Sequence, residues 1–359
     1  MTWGVETLRI RAEVDGATMN LVTSASIGYA MMLERFAPAD AIAYAEYAEQ
    51  HGFSGTVSTD HFQPWLSRHG QASFVWSVLG ALGARTTGEL GAGAIAAGGR
   101  MHPAAIAQAS ATIAGLYPGR HWLALGAGEA LNEHVTGGYW PEAPERIARM
   151  FDAIEVIRKL FATAASGERS NGRPVRHHGS HFELESAQLW TPPITPPRIL
   201  VATAGSVAAK RAGRAADGIL TIGTSHEKAA ALVERFDEGL KEAGKPRGDT
   251  LRVVRVDLSW APTDEQAMAN ALAEWPLAGV RFPRSDVRSP ADFEQLARTV
   301  RPEDFEGRML VSSDLELHRA HLQRFVDLGV DRIYLHNAGA DQREFIEVFG
   351  HDVLPKVTR

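Results

Sequence analysis

Short apolar segments alternate along the chain with longer segments in which apolar residues recur every three or four positions. Short apolar runs bounded by turn residues are typical of buried strands, and the wider spacing is typical of amphipathic helices. The predicted strands are 24–31, 54–59, 90–97, 121–128, 198–204, 217–223, 252–261 and 331–339. Helices are predicted between them, as at 38–52, 102–117 and 146–162.

The order of these elements predicts the fold class. Alternating strands and helices form parallel sheets joined by right-handed crossovers. Eight such units, with strands that are almost continuously apolar, match an α/β fold of the (β/α)8 TIM-barrel type. A doubly wound open sheet is the alternative, which the absence of a G-x-G-x-x-G motif after the first strand disfavours. The apolar face of 146–162 consists of Ile147, Met150, Phe151, Ile154, Ile157 and Leu160.

The whole chain, 1–359, is predicted to be one domain, because α/β barrels run to about 250 residues or more as single units. Residues 1–23 form a short extension before the first strand. Two segments, 163–197 and 262–310, interrupt the alternation and are predicted to be insertions at the barrel mouth. Long insertions of this kind usually build the mouth of a site or a contact between subunits.

Composition narrows the classes of function. The chain has 37 Lys and Arg against 43 Asp and Glu, a net charge of −6, so it lacks the basic footprint of a nucleic-acid binder. It has no cysteine, which excludes disulfides and thiolate chemistry and fits a reducing cytoplasm. No apolar run reaches the roughly 18 residues of a membrane span, and the N-terminus lacks the apolar core of a signal peptide. We therefore expect a cytoplasmic protein whose partner is a small molecule.

Functional residues of a barrel lie after the C-terminal ends of its strands. Four segments at these positions stand out: TVSTDHFQPW (56–65), GAGA (91–94), GAGEALNE (126–133) and ATAGS (202–206). An acid after the first strand, Glu34, joins them. The candidate site residues are Glu34, Asp60, His61, Trp65, Gly93, Ala94, Gly128, Glu129, Asn132, Ala204, Gly205 and Ser206.

Each candidate also has an ordinary structural interpretation. Glu129 and Asn132 are suited to capping a helix, Glu34 to a solvated surface, and His61 to a structural hydrogen bond. Their coincidence at one predicted face of the barrel favours a site. The histidine-rich segment HHGSH, 177–181, lacks carboxylates at ligand spacing, so no metal site is expected there.

The residue types suggest acid–base chemistry. His61 titrates near neutrality and Glu129 would do so if buried, so the two suit the roles of base and acid around one substrate carbon. Trp65 offers a flat apolar wall. A helix that starts at the 204–206 turn has free N–H groups for an anion such as a phosphate tail. No residue supplies redox power, so a redox reaction needs a bound cofactor.

Several segments closely resemble one known family. They are ERFAPADAIAYAEYAEQHGF, TDHFQPW, HPAAIAQASATIAGLYPGR, GEALNE and AAKRAGRAADG. They are similar to the luciferase-like flavin and deazaflavin oxidoreductases, and within that group to the F420-dependent glucose-6-phosphate dehydrogenases and their relatives. The resemblance runs from residue 24 to residue 355 and is interrupted by the insertions. It implies the same barrel, which in relatives is usually a homodimer.

The resemblance also implies roles for individual residues. His61 would take a hydroxyl proton while hydride moves to the deazaflavin, Glu129 would be the partnering acid, and Trp65 would steady the substrate. Glu34 would complete the substrate pocket. Cofactor contacts would come from Asp60, a bulge at Gly93–Ala94 (a non-proline cis peptide in relatives), Gly128, Asn132, and the turn of Ala204, Gly205 and Ser206.

The sequence departs from the sugar-phosphate enzymes where they bind the substrate phosphate. Those enzymes carry a threonine and a lysine after the sixth strand, whereas this chain has Ile222 and Ser225. The cations available instead are His226, Lys228, Arg281, Arg284 and Arg308. Of these we expect His226, Arg284 and Arg308 to contact the substrate. Glucose 6-phosphate is therefore not the expected substrate.

The sequence is compatible with two cofactors, F420 and FMN. The leading hypothesis is an F420-dependent enzyme that transfers hydride to or from a sugar, alcohol or related small carbonyl compound. The alternative is an FMN-dependent monooxygenase or reductase, because Gly93 and Ala96 replace hydroxyl residues of relatives and Ala204 replaces a glycine. A third hypothesis, from another class, is a non-catalytic flavin-binding or scaffold protein on the same barrel.

Overall fold

The computed structural model describes residues 25–163, 173–193, 195–223 and 225–357. The strands are β1 Ser26–Met31, β2 Gly55–Ser58, β3 Glu89–Ala96, β4 His121–Gly126, β5 Val175–His178, β6 Glu183–Ala187, β7 Arg198–Ala202, β8 Gly218–Ile222, β9 Leu251–Ser259, β10 Leu310–Val311 and β11 Arg332–Asn337. The α-helices are α1 Pro38–Gln50, α2 Val75–Gly83, α3 Pro103–Leu116, α4 Ala130–Glu133, α5 Ala143–Ala162, α6 Ser206–Ala215, α7 His226–Glu242, α8 Asp264–Glu274, α9 Pro290–Ala297, α10 Leu315–Asp327 and α11 Gln342–Val348. The predicted extension, 1–23, lies outside the described residues.

Eight of these strands form a closed parallel barrel. β1 pairs with β2, and the ring continues through β3, β4, β7, β8 and β9 to β11, which pairs with β1 again. These are the eight strands predicted from the sequence, so the TIM barrel is confirmed and the open-sheet alternative is wrong. The short β10 adds to β9 outside the ring.

The surrounding helices begin where the sequence favours it. Proline lies in the first turn of α1, α3, α5 and α9. At that position the backbone N–H has no partner within the helix, so proline costs no hydrogen bond. The predicted apolar face of α5 is buried through Met150, Phe151, Ile154, Ile157 and Leu160. In the described part of the chain, no helix has both the length and the apolar character needed to cross a membrane.

Small and large side chains alternate inside the barrel. Gly91 of β3 lies beside Trp122 of β4, and the Trp122 ring packs 5.8 Å from the ring of Tyr334, measured between centroids. A Cβ atom on Gly91 would lie 2.3 Å from the Trp122 ring, so this glycine makes room for the tryptophan. The interior cluster comprises Ala30, Val57, Trp122, Ala124, Leu200, Leu220, Leu251, Val253 and Tyr334.

A charged network ties the lower, N-terminal end of the barrel. Glu89 accepts hydrogen bonds from Arg332 Nε at 2.8 Å and from the Tyr334 hydroxyl at 2.9 Å. The contact joins β3 to β11, which are not neighbours in the ring. A multidentate ion pair of this kind contributes stability at the lower end, opposite the end where a barrel carries its function.

The second insertion, 262–310, lies against the upper end of the barrel. Trp275 follows α8 and Phe293 belongs to α9. Their rings pack at 6.5 and 5.2 Å from the ring of Trp65, which follows β2. These residues belong to a separate apolar cluster above the strand ends. The insertion therefore forms part of the barrel mouth.

The first insertion takes a different position. Its described part contains β5 and β6, an antiparallel hairpin that the sequence did not predict. Asp152 of α5 accepts hydrogen bonds from the backbone N–H groups of His181 and Phe182, at 2.8 and 3.1 Å. The hairpin is thus fastened to the outer layer of helices.

We expect Gly91→Ala to lower the free energy of unfolding by about 1–3 kcal/mol, because the added methyl overpacks the interior against Trp122. The matched control is Gly115→Ala in α3, where a Cβ meets nothing within 4 Å. That change should stabilise the protein by about 0.5–1 kcal/mol through helix propensity. Denaturant unfolding of both variants measures the two effects. Equal stability of the two variants would contradict the packing assigned to Gly91.

Candidate active site

A cavity of about 320 Å³ lies at the upper ends of the barrel strands. Residues from the strand ends and from the second insertion line it. The sequence candidates among the lining residues are Asp60, His61, Trp65, Gly93, Ala94, Gly128, Glu129, Asn132, Ala204 and Arg284. The strand-end rule therefore brings most of the candidates together in space.

His61 contacts a buried acid on one side. Its Nδ1 atom lies 2.9 Å from Oε1 of Glu34, which follows β1 and is fully buried. Glu34 also accepts a hydrogen bond of 2.7 Å from the Thr59 hydroxyl. Burial alone would raise the pKa of Glu34, but the charge of His61 and the hydrogen bonds lower that pKa to about 2. Glu34 is therefore an ionised carboxylate beneath the imidazole.

The same contact with Glu34 changes the pKa of the His61 imidazole. Burial, the largest single influence, would lower the pKa of His61, but the charge of Glu34, its contact with the ring and the neighbouring acids together raise that pKa. Smaller contributions come from Glu129 and Asp60. Nδ1 is the ring nitrogen that faces the carboxylate, and the larger part of the Glu34 effect comes from its charge. The imidazolium form is more stable here than in solution.

Glu129 approaches His61 from the opposite side. Its Oε2 atom is 4.0 Å from Nε2 of His61, and its side chain remains 34% exposed because it faces the cavity. Loss of bulk water raises the pKa of Glu129, although the charges of His61, Arg284 and Arg255 act in the other direction. Two carboxyl groups with opposite pKa shifts thus flank one imidazole, which is the arrangement that separates acid and base roles.

The loop that carries His61 is braced by α4. The side-chain oxygen of Asn132 accepts the backbone N–H groups of Phe62 and Gln63, at 2.8 and 3.2 Å. The Gln63 amide donates in return to the carbonyl of Leu131 at 2.9 Å. Asn132 was predicted to contact a cofactor. Its oxygen positions the His61 loop, which leaves its NH2 group as the donor available at the cavity wall.

Trp65 forms an aromatic wall beside the imidazole. Its ring packs at 5.0 Å from the ring of His61 and at 5.2 Å from Phe293. The guanidinium of Arg284 lies 5.5 Å from the Trp65 ring, a cation–π contact. These three contacts fix the plane of Trp65 next to the reactive groups.

Free acceptor oxygens line the wall next to His61. The carboxylate of Asp60 forms an ion pair with Arg100, and Glu133 lies 3.6 Å from the same guanidinium. Asp60 Oδ1 and both carboxyl oxygens of Glu133 have no hydrogen-bond partner among the described residues. Burial raises the pKa of Glu133, against the charge of Arg100. Because buried oxygens need donors, this wall suits a ligand with hydroxyl groups.

Strand β3, which lies between β2 and β4 in the ring, is irregular. β3 shifts its register with β4 between Gly93 and Ile95, and the Gly93–Ala94 peptide is cis. Gly93 and Ala94 both line the cavity. The bulge and the cis peptide that the resemblance implied are confirmed.

The predicted anion turn lies at the start of α6. Ala204 lines the cavity, and Gly205 and Ser206 continue from it into the helix. The Gly205 N–H donates to the Thr203 hydroxyl at 3.0 Å. The first N–H groups of α6 beyond it point out of the helix end beside the cavity.

The cations predicted to bind substrate lie in two places. Arg284 lines the central cavity. His226 and Arg308 line a separate groove of about 700 Å³. The ring of His226 contacts the backbone carbonyl of Arg324 at 2.8 Å. The structure does not bring His226 and Arg308 to His61.

Other residues of the cavity were not among the predicted site residues, although His336 falls at the end of the eighth predicted strand. Arg255 and Trp275 line the cavity, and Asp257 and His336 lie behind them. A signal for two of them exists, because the apolar strand RVVRVDLS carries Arg255 and Asp257 two positions apart and hence on one face. Arg100 follows β3 in the segment AAGGR, where no pattern marks it.

One cluster elsewhere has potential metal ligands. Ligand atoms of Asp152, Glu155 and His177 lie within 4.8 Å of one another. The two ring nitrogens of His177 already contact Asp152 at 2.6 Å and Lys159 at 2.7 Å. These contacts satisfy the imidazole within the protein and fasten the hairpin to α5.

Known proteins share this sequence and architecture. The sequence model of the luciferase-like monooxygenase family matches residues 18–332. The F420-dependent glucose-6-phosphate dehydrogenase of Microbacterium testaceum is 34% identical over 335 residues, covering 92% of this chain and 97% of the relative. The enzyme of the same name from Mycobacterium avium is 34% identical over 338 residues, covering 93% and 98%.

Solved structures agree with this relationship. An F420-dependent secondary alcohol dehydrogenase, in complex with an F420-acetone adduct, superposes with a TM-score of 0.85 at 29% identity, over 93% of this chain and 99% of that one. The F420-dependent tetrahydromethanopterin reductase of Methanopyrus kandleri has a TM-score of 0.75 at 19% identity, over 93% and 99%, which is a likeness of fold. The chain belongs to the luciferase-like family of oxidoreductases.

Proposed function

We propose that this protein is an F420-dependent oxidoreductase that transfers a hydride between the cofactor and a sugar, alcohol or related small carbonyl compound. The observation that carries the proposal is the position of His61 between ionised Glu34 and Glu129, whose pKa is raised. The F420-dependent dehydrogenases that are 34% identical over nearly the whole chain support it.

In this proposal His61 accepts the hydroxyl proton during oxidation. Because Nδ1 faces ionised Glu34, the neutral imidazole keeps its proton there and leaves Nε2 as the acceptor. Nε2 points to the side of Glu129, 4.0 Å away. In the direction of reduction, the imidazolium returns this proton to the carbonyl oxygen. Only the neutral imidazole can act as a base, and the raised pKa of His61 means that a higher pH is needed to form it. The rate of oxidation therefore still increases as the pH rises above the ordinary pKa of histidine.

Glu129 handles the other proton. When bound, F420 accepts a hydride together with one proton, or gives both back in the opposite direction. Glu129 carries a raised pKa and faces the cavity, so it can hold that proton and release it within the site. The carboxyl therefore acts as the partnering acid in oxidation and as the acceptor in reduction.

The residues at the cavity fit a deazaflavin. Gly93 and Ala94 present a wall without bulky side chains. The free oxygens of Asp60 and Glu133 are acceptors for the hydroxyl groups of the cofactor's polyol chain. The N-terminus of α6, after Gly205, suits its phosphate.

FMN is the second cofactor considered, because Gly93, Ala96 and Ala204 are small. Gly93, Ala96 and Ala204 all line the cavity, so small residues alone do not distinguish the two ring systems. The relatives at 34% identity are F420-dependent, which favours F420.

Glucose 6-phosphate is not proposed as the substrate. Ile222 lines the cavity at the place of the threonine that serves the phosphate in the sugar-phosphate enzymes. Ser225, at the place of their lysine, caps α7 by accepting the Lys228 N–H at 3.2 Å. A homodimer and a cytoplasmic location, both expected from the sequence and its resemblance, remain part of the proposal.

Titration of the purified protein with F420 and separately with FMN tests the cofactor. We expect saturable F420 binding, followed by ring fluorescence, and much weaker FMN binding. The reason is that the free acceptors at Asp60 and Glu133 and the α6 terminus match a polyol phosphate beside the wall formed by Gly93 and Ala94. Tight FMN binding with no F420 binding would replace the proposal by oxygen-dependent flavin chemistry.

Substitution of the acid–base residues tests their roles. His61→Asn and Glu129→Gln should each lower kcat about 10²- to 10⁴-fold, the usual contribution of a general acid or base. F420 affinity should change little. The control is His351→Ala, whose side chain is 86% exposed at the surface. Turnover close to that of the wild type in both active-site variants would refute the assignment.

A further inference from the structure

Arg255 occupies an unusual position for a charged residue. The inward-facing positions of β9 run Leu251, Val253, Arg255 and Asp257, and the first two belong to the interior apolar cluster. Arg255 pairs in register with Ile222 of β8. It lines the central cavity, and its side chain is only 13% exposed. The guanidinium of Arg255 therefore lies at the inner end of the cavity, just above the apolar interior of the barrel.

Asp257 fixes the orientation of this guanidinium. The Nε atom of Arg255 lies 3.0 Å from Asp257 Oδ1, and its Nη2 atom donates to Oδ2 at 3.2 Å. Oδ2 also accepts the indole N–H of Trp275 at 3.2 Å, and Oδ1 lies 3.1 Å from His336 Nδ1. Asp257 is thus held from three sides, and it presents Arg255 in one direction.

The contact with Asp257 uses one side of the planar fork. Nε and Nη2 face the carboxylate, so the edge formed by Nη1 and Nη2 is directed away from it. Among the hydrogen bonds of the described residues, Arg255 donates through Nη2, and none uses Nη1. This edge carries two parallel N–H donors, the geometry that a planar carboxylate accepts in a bidentate manner.

The charge around this edge favours an anion. Arg284, the other guanidinium at the cavity, forms no ion pair within the part of the chain that the structure describes, and it donates to the carbonyl of Leu277 at 3.2 Å. The acids of the cavity are mostly neutralised, because Glu34 faces His61 and Asp60 faces Arg100. Arg255 is itself paired with Asp257, so the positive charge near this edge that has no ion pair among the described residues is that of Arg284.

We infer that Arg255 is a substrate-contacting residue that binds a carboxylate on the substrate, so that the substrate class is a hydroxy or oxo acid. A carboxylate fits better than a phosphate, because one fork satisfies its two oxygens whereas a phosphate has three terminal oxygens to satisfy. Asp257 is a positioning residue for Arg255. This inference rests on the proposed function for the reaction, and the binding of the carboxylate is separable from it.

The test uses variants that leave no unpaired buried charge. Arg255→Met alone would strand ionised Asp257 and could unfold the protein. The test variant is therefore Arg255→Met/Asp257→Asn, which removes one charge of each sign. The matched control is Arg85→Met/Glu46→Gln, an exposed ion pair between Arg85, which follows α2, and Glu46 of α1; neither residue lines the cavity.

Thermal unfolding of each protein, with and without F420, is followed in rising acetate and, separately, in rising phosphate. Chloride keeps the ionic strength equal throughout. We expect acetate to raise the midpoint of the wild type and of the control, as a ligand of the native state does. In the test variant the affinity for acetate should fall about tenfold or more, the effect of losing a charged hydrogen-bonded pair. Its F420 affinity should be unchanged.

Acetate binding that persists in the test variant would overturn the inference, as would the absence of acetate binding in the wild type. Phosphate binding that depends on Arg255, without acetate binding, would also overturn it and assign the site to a phosphate. Acetate binding without F420 binding would support the carboxylate site while refuting the proposed function, so the two failures are distinguishable.

Discussion

The contact between Glu34 and His61 is the interaction on which the site depends. A fully buried carboxylate is costly unless a positive or hydrogen-bonding partner compensates it. Here the partners are the imidazole and the Thr59 hydroxyl. The same contact raises the pKa of His61, fixes the side on which the neutral ring carries its proton, and turns Nε2 to the cavity. Removal of Glu34 would therefore change the pKa and the proton position of His61, although Glu34 itself does not react.

Other charges at the cavity follow the same arrangement, in which a buried partner orients a group that faces the ligand. Arg100 holds Asp60 and leaves Oδ1 free, and Asp257 holds Arg255 and leaves one edge of the guanidinium free. Preorganised groups of this kind need little rearrangement when a ligand binds. The rigid support comes from the strands themselves, because these residues lie on or directly after the strands of the barrel.

The lower end of the barrel contributes mainly to stability, and the upper end carries the candidate site. Below, Gly91 and Trp122 fill the interior, and Glu89 joins β3 to β11. Above, the interior layer is charged and a cavity replaces close packing. A strand such as β9 shows the transition within one element, since Val253 packs in the apolar interior and Arg255 lines the cavity.

The sequence was sufficient to predict the barrel and the position of His61 and Glu129 at one cavity, for physical reasons. Eight apolar strands alternating with amphipathic helices leave few architectures open, and the strand-end rule then places His61 and Glu129 at one face. Pairings between distant residues were not predictable from pattern alone. Arg100 finds Asp60 only through the fold, and the β5–β6 hairpin lies in a polar segment without alternation.

Cations in loops were the least predictable part of the site. Arg284 reaches the cavity, whereas His226 and Arg308 line a separate groove, although all three were chosen for charge alone. The direction of a long side chain on an insertion depends on tertiary packing that one sequence does not specify. Arg255 shows the opposite case. The alternation of side chains along a strand directs a charged residue at an inward position of β9 into the barrel, where the cavity accommodates it.

A nitrogen NMR titration of the His61 ring, in the wild type and in Glu34→Gln, shows whether the buried carboxylate controls the imidazole. In the wild type we expect a pKa above the ordinary value of histidine and a neutral form protonated at Nδ1. In Glu34→Gln we expect a lower pKa, because the imidazolium loses its nearest negative charge. A wild-type pKa at or below the ordinary value, or one that Glu34→Gln leaves unchanged, would contradict that role of the carboxylate.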